Sequence, residues 1–140
     1  MRLVPGIVLS LAALAAPALA DEVWVSQHGP VVWETDIGTT AVLRLDDEDS
    51  GVSIRLFVPG LAADVAGGRG TYTGVWVAPA GPDTCVTDMV DPVEEFASPH
   101  WGTFTLTFMA DSYPSGWAGA FGPCLDLRTQ PISATAIAAN

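Results

Sequence analysis

The sequence contains no lysine, so arginine is its only permanently charged base. All sixteen aspartates and glutamates follow residue 20, whereas only four arginines do. Residues 21–140 therefore carry a formal charge of 4 − 16 = −12. A field of this sign repels nucleic acid and anionic membrane surfaces, and it attracts basic partners and divalent cations. The alternative is that the charge only keeps the protein soluble.

Cysteine and histidine are scarce as well. The two cysteines, Cys85 and Cys124, both follow residue 20, and an even count in an exported chain predicts one disulfide. Its loop of about 40 residues corresponds to roughly 3–4 kcal/mol of stabilisation on a chain-entropy estimate. His28 and His100 lack the spacing of zinc ligands, so both are expected on the surface. Since the sequence also has no Gly-x-Ser-x-Gly motif, it singles out no catalytic residue.

Residues 1–20 have the form of a secretory signal peptide. Arg2 precedes a short apolar run over residues 7–16, and Ala18 and Ala20 complete an Ala-x-Ala cleavage site. The run is shorter than the roughly 20 residues of a membrane-spanning helix, which favours cleavage over anchoring. No later stretch is long and apolar enough to span a membrane as a helix. We therefore expect a single domain over residues 21–140, in the periplasm or secreted.

Short runs with a period of two residues dominate the rest of the chain. In residues 101–109, Phe104, Leu106 and Phe108 alternate with threonines, the pattern of a half-buried β-strand. About eight such segments, with turn residues between them, predict an antiparallel β-sandwich or small β-barrel of about 7–9 short strands with one disulfide. Residues 91–98 are the exception, because Asp91 before a proline favours one or two turns of helix.

One hairpin has a register that the sequence itself predicts. Residues 39–45 and 52–58 are joined by an acidic turn that ends in glycine. With Leu45 opposite Val52, the apolar residues of both strands fall on one face and the polar residues on the other, as expected of a true pair.

The acidic turn of this hairpin is the candidate metal site. Asp46, Asp47 and Asp49 offer several carboxylate oxygens in a short stretch, which is what calcium requires. An EF-hand is excluded, since its twelfth position would be Val58 or Gly60 instead of glutamate. A calcium site in a β-loop remains open, and the alternative is a solvated turn.

Five tryptophans form the second functional indication. Trp101 lies on the threonine side of its strand, so we expect it to be at least partly exposed, followed by Tyr72 and Trp76, which share a face. Exposed aromatic side chains can stack on sugar rings or anchor a protein partner. The alternative is that they fill the core.

Three functions are compatible with these features. The first is a non-catalytic domain that binds a protein through an acidic, aromatic-bearing surface, with a basic partner, such as a cationic enzyme that it inhibits, fitting the charge. Binding that weakens as the salt concentration rises would indicate this function. The second is a carbohydrate- or small-ligand-binding module with Trp101, or Tyr72 and Trp76, lining a groove. The third is a weak hydrolase or metal-dependent enzyme, which requires His28 or His100 beside a carboxylate in a pocket.

Overall fold

The computed structural model describes residues 22–63, 70–110 and 115–137. These residues form ten β-strands and a short 3-10 turn at Leu61–Ala63, with no α-helix among them. The strands are β1 (Val23–Ser26), β2 (Gly29–Ile37), β3 (Thr40–Asp47), β4 (Val52–Pro59), β5 (Thr71–Ala78), β6 (Met89–Asp91), β7 (Phe96–Ser98), β8 (His100–Phe108), β9 (Trp117–Pro123) and β10 (Gln130–Ala136). The predicted all-β fold is confirmed.

Eight of the strands form a closed antiparallel barrel in the order β1-β10-β9-β8-β5-β4-β3-β2. The barrel closes because β1 pairs with β10 on one side and with β2 on the other. Closure removes the free strand edges at which other chains could add a strand. Of the two predicted architectures, sandwich and barrel, the structure is the barrel.

Apolar side chains pack the barrel interior. Phe104, Leu106 and Phe108 of β8 point inward and are buried, as their alternation predicts. Trp24 and Trp117 meet edge to face, with ring centroids 6.5 Å apart. Full burial of each large apolar side chain contributes about 1.5–3 kcal/mol. The interior thus supplies stability, and the charged side chains discussed below lie on the outer wall.

A second, smaller apolar cluster lies outside the barrel wall. β5 and β8 are neighbours in the barrel but are joined by residues 79–99, which contain β6 and β7 as a separate two-stranded sheet. This connection, hereafter the cover segment, buries Val77 and Trp101 beneath Cys85 and Phe96. The predicted disulfide between Cys85 and Cys124 is confirmed and ties the segment to the end of β9. The longest connection of the chain is therefore a packed cover.

The prediction that Trp101 is partly exposed is wrong. Its side chain projects to the outside of the barrel, yet only 6% of the residue is exposed. The cover segment packs over the ring, and the indole N–H donates to the carbonyl oxygen of Thr87 at 2.7 Å. Alternation along a strand gives the face of a side chain, but not the segment that returns to cover it.

The β3–β4 hairpin is offset by two residues from the predicted register. Leu45 pairs with Ile54 and not with Val52, because β3 runs on to Asp47, and Asp47 is the residue that pairs with Val52. A shift of two residues keeps every side chain on its predicted face. On the outer face, however, it places Arg44 directly opposite Arg55.

The disulfide bears on the compartment in which the protein works. Such bonds persist in oxidising environments, so the Cys85–Cys124 bond is consistent with an extracytoplasmic location. The predicted signal peptide over residues 1–20 lies outside the described residues. Within the described ranges, no helix has the length and apolar character needed to cross a membrane.

Candidate functional site

Two arginines face each other across β3 and β4 on the outer wall of the barrel. Arg44 and Arg55 are directly opposed in the register, a position in which like charges repel. The Arg55 side chain is only 8% exposed, whereas that of Arg44 is 32% exposed. A buried guanidinium is tolerated only when carboxylates surround it.

The first carboxylate comes from a β-bulge in β2. Trp33 and Thr35 pair with consecutive residues of β3, so Glu34 is the extra residue between them. Bulges redirect a side chain, and here the carboxylate lies between the two guanidinium groups. Glu34 Oε2 accepts a hydrogen bond from Arg55 Nε at 2.7 Å. Its Oε1 accepts from Arg55 Nη2 at 3.0 Å and from Arg44 Nη1 at 3.2 Å, so one carboxylate bridges both arginines.

The cover segment supplies two more carboxylates. Asp91, which is 1% exposed, accepts a hydrogen bond from Arg55 Nη1 at 3.0 Å, and Glu94 accepts one from Arg55 Nη2 at 2.9 Å. The other oxygen of Asp91 accepts the backbone N–H groups of Val93 and Glu94. The prediction of helix over residues 91–98 is wrong, since Asp91 instead caps the tight turn of the β6–β7 hairpin. Ion pairs thus hold this hairpin against the barrel.

These contacts determine the charge of each group. Hydrogen bonding from Arg55 lowers the pKa of Glu34 below its ordinary value of 4.5, against the opposing effect of burial. Hydrogen bonding to Glu34 raises the pKa of Arg55. For Arg44, the hydrogen bond to Asp46 is the largest cause of a raised pKa. Glu34 and both arginines are therefore ionised at neutral pH.

We expect acid to weaken the fold through Glu34. Because its folded pKa is lowered, its contribution to stability is fully present above the unfolded value near 4.5 and is lost as the pH falls through the lower folded value. The melting temperature should therefore decrease on acidification below about pH 5, and less steeply in Glu34→Gln than in the wild type. Glu48→Gln, at an exposed turn position, serves as the control and should follow the wild type. Equal slopes in wild type and Glu34→Gln would contradict this role.

An open groove of about 550 Å³ lies between the outer wall and the cover segment. It is lined by Glu34, Arg44, Asp46, Ser53, Arg55, Pro79, Glu94 and Phe96, and is hereafter the outer groove. With the adjoining Asp91 included, two arginines meet four carboxylates, a charge of 2 − 4 = −2. The most accessible carboxylates are those of Glu94, 59% exposed, and Asp46, 39% exposed. The groove therefore suits a cationic ligand.

The structure separates the three aspartates of the predicted metal site. Asp46 accepts a hydrogen bond from Arg44 Nε at 3.0 Å and belongs to the outer groove. Asp47 and Asp49 instead lie beside His28 of the β1–β2 turn, with one ligand atom of each residue within 4.8 Å of the others. These three residues could hold a divalent cation, although an imidazole nitrogen fits zinc better than calcium. The calcium site at Asp46, Asp47 and Asp49 stays a prediction; Asp46, which is held by Arg44, does not join the group of His28, Asp47 and Asp49.

The three predicted binding aromatics do not form one surface. Tyr72 and Trp76 are half-buried and pack against the barrel core. The Tyr72 ring contacts Phe108 edge to face, and the indole N–H of Trp76 donates to the carbonyl oxygen of Gly122 at 3.0 Å. Trp101 lies under the cover segment. Throughout the described ranges, every tryptophan, tyrosine and phenylalanine is buried or half-buried.

The two histidines lie apart from the outer groove. His28 Nδ1 is 3.5 Å from a carboxylate oxygen of Asp49, where two exposed turns meet. His100 Nδ1 is 2.8 Å from the backbone carbonyl oxygen of Asp83. Neither residue lines the groove, so the pairing that the enzyme hypothesis requires in a pocket does not occur in this one.

Sequence reasoning missed the arginine–carboxylate network. The available signal was the position of two of the four arginines within predicted strands, since a strand arginine in a highly acidic chain is expected to pair with carboxylates. Nothing in the sequence shows that Glu34 occupies a bulge or that Asp91 returns to the same wall from the cover segment. Both are consequences of tertiary packing.

Comparisons of the chain with protein-family models, with curated proteins and with solved structures found no match.

Proposed function

We propose that the protein is an exported, non-catalytic binding domain that recognises a basic protein partner, in the periplasm or outside the cell. The observation that carries the proposal is the outer groove. Its carboxylates outnumber its arginines, and the arginines already donate hydrogen bonds to those carboxylates. An anionic ligand would have to displace these carboxylates from the arginines. A cation, in contrast, meets no such competition, because the exposed carboxylate oxygens can each accept a further hydrogen bond from it.

The groove offers a place for one lysine or arginine side chain of the partner. Glu94 and Asp46 present their oxygens from the cover segment and from β3. Phe96 and Pro79 add apolar surface, over which the aliphatic stem of such a side chain can pack. The cationic head then lies between the two carboxylates, in hydrogen-bonded ion pairs.

The charge of the whole chain supports the same partner. With sixteen acidic residues against four arginines after residue 20, the surface field draws basic proteins towards it over about a Debye length. Fields of this kind raise association rates and favour partners of opposite charge. A cationic enzyme that the domain blocks is one partner that fits this description.

The two other functions have less support from the described residues. A sugar-binding module stacks rings on exposed aromatic side chains, but Trp101 is buried and Tyr72 and Trp76 face the core. The enzyme hypothesis needs His28 or His100 in a pocket, and neither lines the outer groove. Binding of a basic partner is thus the function that the geometry favours.

Binding of a short peptide of alternating lysine and serine tests this proposal. We expect the oxidised protein to bind it and not the matching glutamate–serine peptide, with affinity that falls between ~0.05 M and ~0.3 M salt. Asp46→Asn/Glu94→Gln should weaken binding by about tenfold or more, the equivalent of about 1.4 kcal/mol. Fluorescence anisotropy of a labelled peptide gives the dissociation constants.

The control is a variant with the same change in net charge at another site. Glu48→Gln/Asp49→Asn removes two exposed carboxylates from the β3–β4 turn, outside the groove, and should weaken binding much less. If both double variants lose affinity equally, the interaction is a property of the total charge and the groove is not the site. Melting temperatures of both variants establish that each is folded.

A further inference from the structure

Three large aliphatic side chains project into solvent around the disulfide. Val86 follows Cys85 and is fully exposed, while Leu125 follows Cys124 and is 82% exposed. Leu127, two residues further on, is 83% exposed. Because the disulfide holds the Cα atoms of its cysteines 5.5 Å apart, side chains from two distant parts of the sequence share one region of the surface. Val86, Leu125 and Leu127 are hereafter the disulfide surface.

The exposure of these side chains does not come from a loose backbone. The N–H of Cys85 donates to the carbonyl oxygen of Pro99 at 2.8 Å, and the N–H of Cys124 donates to that of Trp101 at 2.8 Å. The disulfide links the two cysteine-bearing segments to each other. Apolar side chains on a fixed backbone lose little entropy on binding, which is the property of interface anchors.

Apart from Arg128, the exposed charged residues that neighbour these side chains in the sequence are acidic. Asp83 and Asp88 flank Val86 in the sequence, and Asp126 lies between the two leucines. Arg128 is close in sequence, but its guanidinium is turned to the barrel wall, where Nε donates to the Thr103 hydroxyl at 3.1 Å. A second copy of the chain would bring the same exposed aspartates against themselves. The complementary surface is instead apolar and flanked by lysine or arginine.

We infer that the disulfide surface is a docking site for an apolar segment of a protein partner in which lysine or arginine residues flank the apolar ones. The inference rests on the proposed function, because it gives the same basic partner a second contact that is apolar and lies outside the outer groove. Leucine and valine side chains then supply buried area, and the three aspartates select for a basic surround. Asp83, Asp88 and Asp126 also disfavour an acidic or self-associating occupant.

The test compares two labelled peptides of equal length and charge, one of alternating lysine and leucine and the other of lysine and serine. The oxidised protein should bind the leucine peptide about tenfold more tightly. Leu125→Ser/Leu127→Ser should remove this advantage while leaving affinity for the serine peptide unchanged. The matched control, Val90→Ser/Met109→Ser, removes two other exposed apolar side chains and should retain the advantage.

Three results would overturn the inference. They are equal binding of the two peptides by the wild type, the same loss of advantage in both double variants, and a wild-type dimer in sedimentation that Leu125→Ser/Leu127→Ser dissociates. The last would identify a second copy as the occupant. The proposed function fails separately, when Asp46→Asn/Glu94→Gln leaves affinity for the serine peptide unchanged.

Discussion

Replacing Arg55 by alanine is expected to lower the free energy of unfolding by about 3–5 kcal/mol, because it leaves a buried carboxylate without its cation. Asp91 is 1% exposed and its Oδ2 accepts a hydrogen bond from Arg55, while Glu34 loses the donor that most lowers its pKa. Removing one member of a buried ion pair costs far more than the pair contributes in total. Urea unfolding at neutral pH measures the change.

Arg44 is the matched control, since it lies directly opposite Arg55 on the neighbouring strand. Its side chain is 32% exposed and its partners, Glu34 and Asp46, remain accessible to water. Arg44→Ala should therefore cost less than about 1 kcal/mol, as exposed ion pairs do. In Arg55→Ala/Asp91→Asn the orphaned charge is gone, so part of the lost stability should return. An Arg55→Ala effect no larger than that of Arg44→Ala would show that the pair is not buried in solution.

The barrel was predictable from the sequence because its signals are local. Phe104, Leu106 and Phe108 alternate with threonines over one strand, and a period of two residues assigns the faces without any knowledge of neighbours. The β3–β4 hairpin follows the same rule, and its faces are correct although its register is wrong by two residues. Hydrophobic pattern fixes only the parity of a register, since a shift of two preserves it. The length of the turn decides the rest, and here β3 extends into the acidic residues as far as Asp47.

The candidate site was not predictable because every part of it depends on contacts distant in sequence. Glu34 and Arg55 are 21 residues apart, and Arg55 and Asp91 are 36 apart. Arg44 lies opposite Arg55 only in the observed register. The predicted register, which differs by two residues, gives the same core but does not bring the two arginines together. The burial of Trp101 was also not predictable, because it depends on a contact with the cover segment.

Removing the disulfide by Cys85→Ala/Cys124→Ala is expected to lower the free energy of unfolding by about 3–4 kcal/mol on the chain-entropy estimate. The two cysteines are 39 residues apart, and the loop between them contains the whole cover segment beyond Cys85 as well as β8 and β9. Without the bond, the unfolded chain gains the freedom of that loop. Urea unfolding of the oxidised wild type and of the double variant, under identical conditions, gives the difference.

Loss of the disulfide should also have a local effect on the cover segment, because the disulfide and the Arg55 ion pairs hold this segment at different points. The barrel retains its own core without the bond, so the first consequence is easier opening of the segment above Trp101. Quenching of tryptophan fluorescence by acrylamide should increase in Cys85→Ala/Cys124→Ala, and a Trp101→Phe substitution in both backgrounds should remove most of the increase. If quenching is unchanged while stability falls, the bond acts on the unfolded chain alone and the ion pairs suffice to keep the cover closed. If neither quantity changes, the disulfide contributes nothing to the fold, and the backbone hydrogen bonds of Cys85 and Cys124 alone hold the disulfide surface in place.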